Sequence, residues 1–162
     1  MDPASCREHL AALLTQECNA LEKLASLLEH EHGLLVANDI EALEKAMAER
    51  QGCVGILLRI EEERRALCRA LGHSADASGL ERVLAWCDPS GTLRSRWAEC
   101  ASRGARCRDL NDRNGALVLA RMKRVESLLG ALTGAASDAS TYGPAGTTNG
   151  PAPAGRVLAI RA

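Results

Sequence analysis

Apolar residues recur along this chain at alternating steps of three and four, the spacing of a coiled-coil helix. Residues 5–36 carry the first series, and Glu17 and Glu31 fill two of its positions. Its leucines are Leu10, Leu14, Leu21, Leu24, Leu28 and Leu35. The pattern predicts one long helix over 5–36 that faces partner helices along its whole length.

A second long helix is predicted over 38–71. Asn38 can cap its start and Glu41 lies three residues later, as in a capping box. Gly72 follows the last apolar residue, where a helix is expected to stop. Because only a short connection separates the first two helices, they should form an antiparallel hairpin.

After a loop over 72–79, Ser78 and Glu81 repeat the capping-box spacing before a short helix that ends near residue 87. A turn over 88–91 leads into a third long helix over 92–133. Its series is Leu93, Trp97, Cys100, Gly104, Cys107, Asn111, Asn114, Val118, Arg121, Val125, Leu128 and Leu132. The predicted fold is all-α: an elongated antiparallel helical bundle, or coiled coil, of three long helices plus one short helix.

Beyond Thr133 the composition changes to small residues, glycine and proline. Such a segment buries too little apolar surface to offset the entropy lost on ordering. We therefore expect two parts: a helical bundle over 1–133 and a flexible Gly/Pro-rich C-terminal tail over 134–162.

Composition supports narrow helix–helix seams. The chain has two Trp, one Tyr and no Phe, so Leu and Ala must fill its core. Residues 1–63 hold 13 acidic and 5 basic side chains, whereas 64–133 hold 7 acidic and 13 basic. Opposite charge favours packing of one half against the other, although two solvated faces would give the same count.

Seven scattered cysteines without a C-x-x-C pair are typical of reduced thiols in the cytosol. The first residues lack the features of a signal peptide, and no apolar run is long enough to cross a membrane. We therefore expect a cytoplasmic protein.

Signatures of catalysis are absent from the sequence: it has no phosphate-binding loop, nucleophile elbow or zinc-protease motif. His30 and His32 lie on different sides of a helix and suit solvated positions better than a shared metal. Cys100 and Cys107 suit a buried seam better than a metal or redox pair. We expect no enzyme activity, no cofactor and no metal.

Two features suggest binding. Asn111 and Asn114 interrupt an apolar seam, where polar residues either set helix register or contact a partner. The single tyrosine, Tyr142, lies among small residues, either incidentally or as an anchor for a binding surface.

The motifs N-D-R-N-G-A-L-V-L-A-R at 111–121, V-E-S-L-L-G-A-L-T-G at 125–134 and T-Y-G-P-A-G at 141–146 resemble the FlgN family of flagellar export chaperones. L-x-x-L-L-x-x-E at 10–17 and the segment 39–50 are similar to it as well. The resemblance covers nearly the whole chain. It implies a type III export chaperone that binds hook-associated proteins of the hook–filament junction through a terminal helix. It further implies that the chaperone keeps them soluble and export-competent and delivers them to the export gate and ATPase components.

On this interpretation, clients bind the last long helix at Asn111, Asn114, Leu117, Val118, Arg121, Val125, Leu128 and Leu132. A tail element for the export gate or for regulation comprises Tyr142, Gly143, Pro144 and Gly146. We expect no nucleic-acid partner and no direct membrane insertion, and a homodimer remains open.

Two other functions compete with this one. The chain could be a structural coiled-coil adaptor or homo-oligomer without a client. A regulator of transcription or translation is less well supported, because the basic half is interleaved with acids and offers few aromatic side chains for stacking.

Overall fold

The computed structural model describes residues 1–133, all of whose regular elements are helices. They are α1 (Pro3–Ala37), α2 (Ile40–Ala70), α3 (Ala77–Cys87) and α4 (Thr92–Leu132). The predicted all-α fold of three long helices and one short helix is therefore confirmed, with boundaries within about two residues of those expected. The chain divides into a first compact unit, Met1–Arg124, and a second unit that begins at Val125.

The connection between α1 and α2 differs from the predicted cap. Asn38 ends α1 in the left-handed conformation (φ +60°), and the N–H groups of Asn38 and Asp39 donate to the Leu35 and Leu34 carbonyls. Asp39, whose carboxylate accepts from the Ala42 N–H at 3.0 Å, caps α2 instead. Asn38 therefore ends α1 and Asp39 caps the start of α2, because asparagine tolerates a positive φ and aspartate accepts well from a free N–H.

The end of α2 follows the prediction, but the start of α3 does not. Gly72 adopts φ +76°, and the His73 N–H donates to the Cys68 carbonyl to close the last turn. Asp76, not Ser78, caps α3 by accepting from the Gly79 N–H at 2.9 Å. Gly79 lies so close to the Ser74 carbonyl that a Cβ atom would collide with it.

Polar contacts give the direction of each long helix. From Arg50 to Arg64 along α2, the ion-pair partner on α1 moves back from Glu31 to Glu17, so these helices are antiparallel. Along α4 the partner on α1 advances with a constant offset of 86 residues: the side chains of Cys107 and Asn114 donate to the carbonyls of Leu21 and Leu28, and the sulfur of Cys100 lies 3.5 Å from the Leu14 carbonyl. Helix α4 is therefore parallel to α1, whereas the hairpin of α1 and α2 is antiparallel as predicted.

The core of the first unit is made of leucine and small residues, as the composition predicted. Among its members are Cys6, Leu10, Leu14, Leu21, Leu28, Leu67, Cys68, Leu80, Val83, Leu84, Cys87, Leu93, Cys100 and Cys107. Small side chains on α2 and α4 at the α1 seams, such as Ala46, Cys53 and Cys107, allow the helix backbones to approach closely. Close approach in turn places their thiols within reach of α1 carbonyls.

The expectation that all seven cysteines are reduced is wrong for one pair. The register of α1 against α4 brings Cys18 and Cys100 together with their Cα atoms 5.3 Å apart, and they form a disulfide. The spacing along either helix alone gives no sign of this pairing. The other five cysteines are free and buried, which agrees with the expected seam-filling role of Cys107.

Candidate protein-binding site

The sequence singled out α4 as the binding helix, and its two asparagines lie in different environments. Asn114 is 6% exposed. Its Nδ2 donates to the Leu28 carbonyl at 2.8 Å, and its Oδ1 lies 2.9 Å from Nδ1 of His32. Because an amide oxygen only accepts, His32 must carry its proton on Nδ1. Asn114 is therefore a hydrogen-bonded core residue between α1 and α4.

Asn111 lies at the surface, one helical turn before Asn114. Its Oδ1 is 3.4 Å from a guanidinium nitrogen of Arg50, and the Nε of Arg50 is 2.9 Å from a carboxylate oxygen of the buried Glu31. Residues from α1, α2 and α4 thus meet in one polar layer. These contacts depend on the alignment of the three helices, and a register role for the two asparagines remains a prediction.

His32 and Arg50 are the members of this layer that the sequence analysis did not find. His32 was assigned to solvent, yet it is partly buried against Asn114. In the sequence, the one sign of this layer is Glu31, which interrupts the apolar series of α1. A carboxylate buried in this seam needs a cationic partner, which here comes from another helix. That cation cannot be chosen before the register of α2 is known.

The remaining predicted residues of the first unit differ in accessibility. Leu117 is partly buried and Val118 is 39% exposed. Arg121 donates to Oδ1 of Asn38 at 3.1 Å and to the Val36 carbonyl at 3.2 Å, both at the connection from α1 to α2. Arg121 therefore already serves a structural contact, which leaves Val118 as the accessible apolar residue of this group.

In the second unit, the end of α4 presents large apolar side chains to solvent. Val125, Leu128 and Leu132 are 55%, 57% and 83% exposed, and Leu129 beside them is 54% exposed. Leu129 lies off the seam line that predicted the other three residues, as do Leu119 and Met122 in the first unit. These three residues form a second apolar series with steps of three and seven, at 119, 122 and 129, from which they could have been predicted.

The predicted tail element, Tyr142, Gly143, Pro144 and Gly146, lies outside the described residues. Within residues 1–133, no group of three or more His, Cys, Asp or Glu side chains is placed to hold a metal ion. None of the helices over the same residues is long and apolar enough to cross a membrane.

Electrostatics in the described bundle serve packing. Burial raises the pKa of the Glu17 carboxyl, although Arg64 at 2.5 Å opposes this effect. Burial also raises the pKa of the free thiols, that of Cys6 to about 12, so they stay protonated and weakly nucleophilic. These groups therefore offer packing and hydrogen bonds.

Comparison with known protein families decides the relationship. A family model described as FlgN protein matches residues 1–150, which is most of the chain. The chain belongs to the FlgN family. Searches of curated proteins and of solved structures give no match.

The FlgN family comprises flagellar export chaperones, so the resemblance found in the sequence is confirmed. This FlgN protein is accordingly a flagellar type III export chaperone that binds flagellar client proteins, and its family is not a family of enzymes. A chaperone of this kind needs accessible apolar surface on a stable helix, which α4 supplies.

Proposed function

We propose that this FlgN protein binds hook-associated proteins of the hook–filament junction in the cytoplasm, keeps them soluble and export-competent, and delivers them to the export gate. Family membership supports the chaperone role. The exposed apolar end of α4 supports a site for an amphipathic client helix, because contiguous apolar surface on a soluble helix favours protein contacts.

The observation that carries the client site is the exposure of Val125, Leu128 and Leu132. They follow one another at steps of three and four, so they lie along one side of the helix. Full burial of a side chain of this size stabilises a complex by roughly 1.5–3 kcal/mol before binding costs are subtracted. Three such anchors in a row suit the apolar face of a client's terminal helix.

We retain the other predicted residues with separate roles. Leu117 and Val118 add apolar surface in the first unit, and Asn111 remains accessible for a polar contact. Asn114 acts as a positioning residue through its bonds to α1, and Arg121 does so through the α1–α2 connection. In this proposal neither needs to touch the client.

We assign delivery to the tail. The proposed division is a helical chaperone domain over 1–133 and a tail over 134–162, in which Tyr142, Gly143, Pro144 and Gly146 contact the export gate or regulate it. Truncation after Thr133 should leave the helical content unchanged, because every described helix ends before that residue. It should impair export of clients in cells. Normal export by the truncated chaperone would reject this role.

A double variant, Leu128→Gln with Leu132→Gln, tests the client site, since glutamine keeps helix propensity and removes apolar area. We expect at least a tenfold loss of affinity for purified hook-associated proteins by calorimetry, with unchanged circular dichroism. The matched control is Ile56→Gln with Leu58→Gln on α2, which are 45% and 66% exposed.

Equal affinity of the two double variants would refute the site on α4. Absence of any binding to hook-associated proteins by the parent protein would refute the proposed clients. A shift in molecular mass of the free protein caused by the α4 variant would instead favour the alternative function, a self-associating structural adaptor.

A further inference from the structure

A groove on the first unit is not used by the proposed site at the end of α4. It runs between α2 and α4, with α1 as its floor, and encloses about 330 Å³. Its apolar lining comprises Leu21, Leu24 and Leu28 of α1, Val54 of α2, and Gly104 with Cys107 of α4. All these residues belong to Met1–Arg124.

A helix of this chain already lies at one end of the space between α2 and α4. Leu80 of α3, Cys68 of α2 and Trp97 of α4 line a common cavity there. The 11 residues of α3 bury Leu80, Val83, Leu84 and Cys87 in the core, but α3 ends long before α2 and α4 do. The groove begins seven residues further along α4, at Gly104. Gly104 has the heptad position that Trp97 has beside α3.

The groove is open at Gly104 and bounded at its far end. A Cβ atom at Gly104 would meet no other atom within 4 Å. Val54 on the opposite wall is 38% exposed, and Met47, one heptad before it, is 46% exposed. Arg50 limits the groove by reaching from α2 to Glu31 and Asn111. Among the described residues, no helix covers this stretch between α3 and Arg50.

We propose that an amphipathic helix of the client lies in this groove, in line with α3, and completes a four-helix layer around Leu24 and Gly104. The occupant presents apolar side chains at steps of three and four, as α3 does with Leu80, Val83, Leu84 and Cys87. Its position continues an interface that the chain makes with its own α3. The inference rests on the proposed chaperone function and adds a second client surface, distinct from Val125, Leu128 and Leu132.

Gly104→Phe tests the groove directly, because the new ring would occupy the space meant for the client helix. Gly52→Phe is the matched control: Gly52 lies on α2 outside the groove, is exposed, and likewise has no atom within 4 Å of a built Cβ. We expect Gly104→Phe to weaken binding of purified hook-associated proteins at least tenfold and Gly52→Phe to change it less than twofold. Thermal unfolding should be similar for the two variants.

A second pair of variants covers the case in which Gly104→Phe alters folding. Val54→Glu puts a charge on the groove wall, whereas Ile56→Glu puts one on another side of α2, outside the groove. Only Val54→Glu should reduce affinity. Equal effects within either pair, or full affinity of Gly104→Phe and Val54→Glu, would overturn the groove while leaving the chaperone function intact if the parent binds its clients.

The molecular mass of the free protein tests whether a second copy of the chain occupies the groove. Sedimentation of Gly104→Phe should give the same mass as the parent. A change in mass would show that a second copy of the chain occupies the groove, and it would overturn a client helix as the occupant.

Discussion

Asn114 shows how one side chain can fix the alignment of two long helices. Its amide satisfies the Leu28 carbonyl and its oxygen satisfies the Nδ1 proton of His32. A shift of α4 by one turn would break both hydrogen bonds and leave the buried amide of Asn114 without partners, at a cost of roughly 1–3 kcal/mol. Polar residues in an otherwise apolar seam therefore select one register.

Replacement of this amide should lower stability. Asn114→Leu removes both hydrogen bonds of the amide and leaves the Nδ1–H of His32 facing an apolar side chain, so we expect the free energy of unfolding to fall by about 1–2 kcal/mol in urea unfolding. From the sequence alone, leucine at both asparagine positions would be expected to stabilise the bundle; the hydrogen bonds of Asn114 reverse that expectation. Asn111→Leu is the control and should change stability by less than about 0.5 kcal/mol, because Asn111 is exposed. A more stable Asn114→Leu protein would contradict this reading.

At this scale the sequence identified both asparagines but not their partners. The interruption of an apolar series is visible in one helix, so Asn111, Asn114 and Glu31 could be marked. His32 and Arg50 could not, because the choice of partner depends on the alignment between helices, which is a property of tertiary packing.

Among the elements, the short helix α3 depends on a cap that the sequence misassigned. Ser78 and Glu81 have capping-box spacing, but Asp76 has the carboxylate at the helix start. Hydrogen bonds from the Gly79 N–H and the Ser74 hydroxyl hold the pKa of Asp76 below its ordinary value. The two possible cap residues, Asp76 and Ser78, are two residues apart, and only the geometry of the loop shows which of them caps the helix.

Asp76→Ala should therefore destabilise α3, whereas Ser78→Ala should have little effect. We expect a decrease of a few degrees in Tm for Asp76→Ala at neutral pH. Because the folded-state pKa of Asp76 is lowered, its contribution is present above its ordinary pKa of about 3.9 and disappears as the pH falls below it. The difference in Tm between the two variants should consequently shrink as the pH is lowered below that value. A larger effect of Ser78→Ala at neutral pH would restore the capping box.

The helices themselves were predictable because steps of three and four persist over their whole length. In an antiparallel bundle the first and third long helices run in the same direction, so the parallel alignment of α1 and α4 agrees with the prediction. The register of α4 against α1 was not predictable, because a seam of this spacing can shift by a heptad and only contacts between the helices fix the alignment.

Across the whole first unit, charge and thiols affect stability in different ways. Acidic residues of α1 pair with arginines of α2 and α4, as in Glu17–Arg64, Glu22–Arg103 and Glu29–Arg106. The unequal charge of the two halves thus corresponds to contacts between them. Most of these pairs are exposed and contribute little individually.

The buried thiols should make the fold sensitive to alkali. Burial raises the pKa of Cys6, Cys53, Cys68, Cys87 and Cys107 above the ordinary value of about 8.5. The contribution of each thiol to stability is therefore complete below a pH of about 8.5. It is lost as the pH rises from that value toward the folded-state pKa, by at most about 1.4 kcal/mol per pH unit for each thiol.

Urea unfolding between pH 8 and pH 10 measures this slope. Cys6→Ala removes the thiol whose pKa is raised to about 12, so its slope should be shallower than that of the parent protein even though its packing is poorer. Identical slopes would mean that Cys6 does not contribute to the alkaline lability.

The constant offset of 86 residues between α1 and α4 also bears on how the bundle assembles. The α1–α2 hairpin closes across a two-residue connection, so the contacts near the turn join residues that are close in sequence. These contacts can form first, and those further from the turn can follow. Every contact along the α1–α4 seam joins residues separated by nearly the same long stretch of chain. The first contact therefore costs much loop-closure entropy wherever along the seam it forms. The hairpin should therefore form first as an independent cooperative unit. In the finished molecule the Cys18–Cys100 disulfide prevents detachment of α4 as a whole, so the lowest subglobal opening should be release of the part of α4 that follows Cys100.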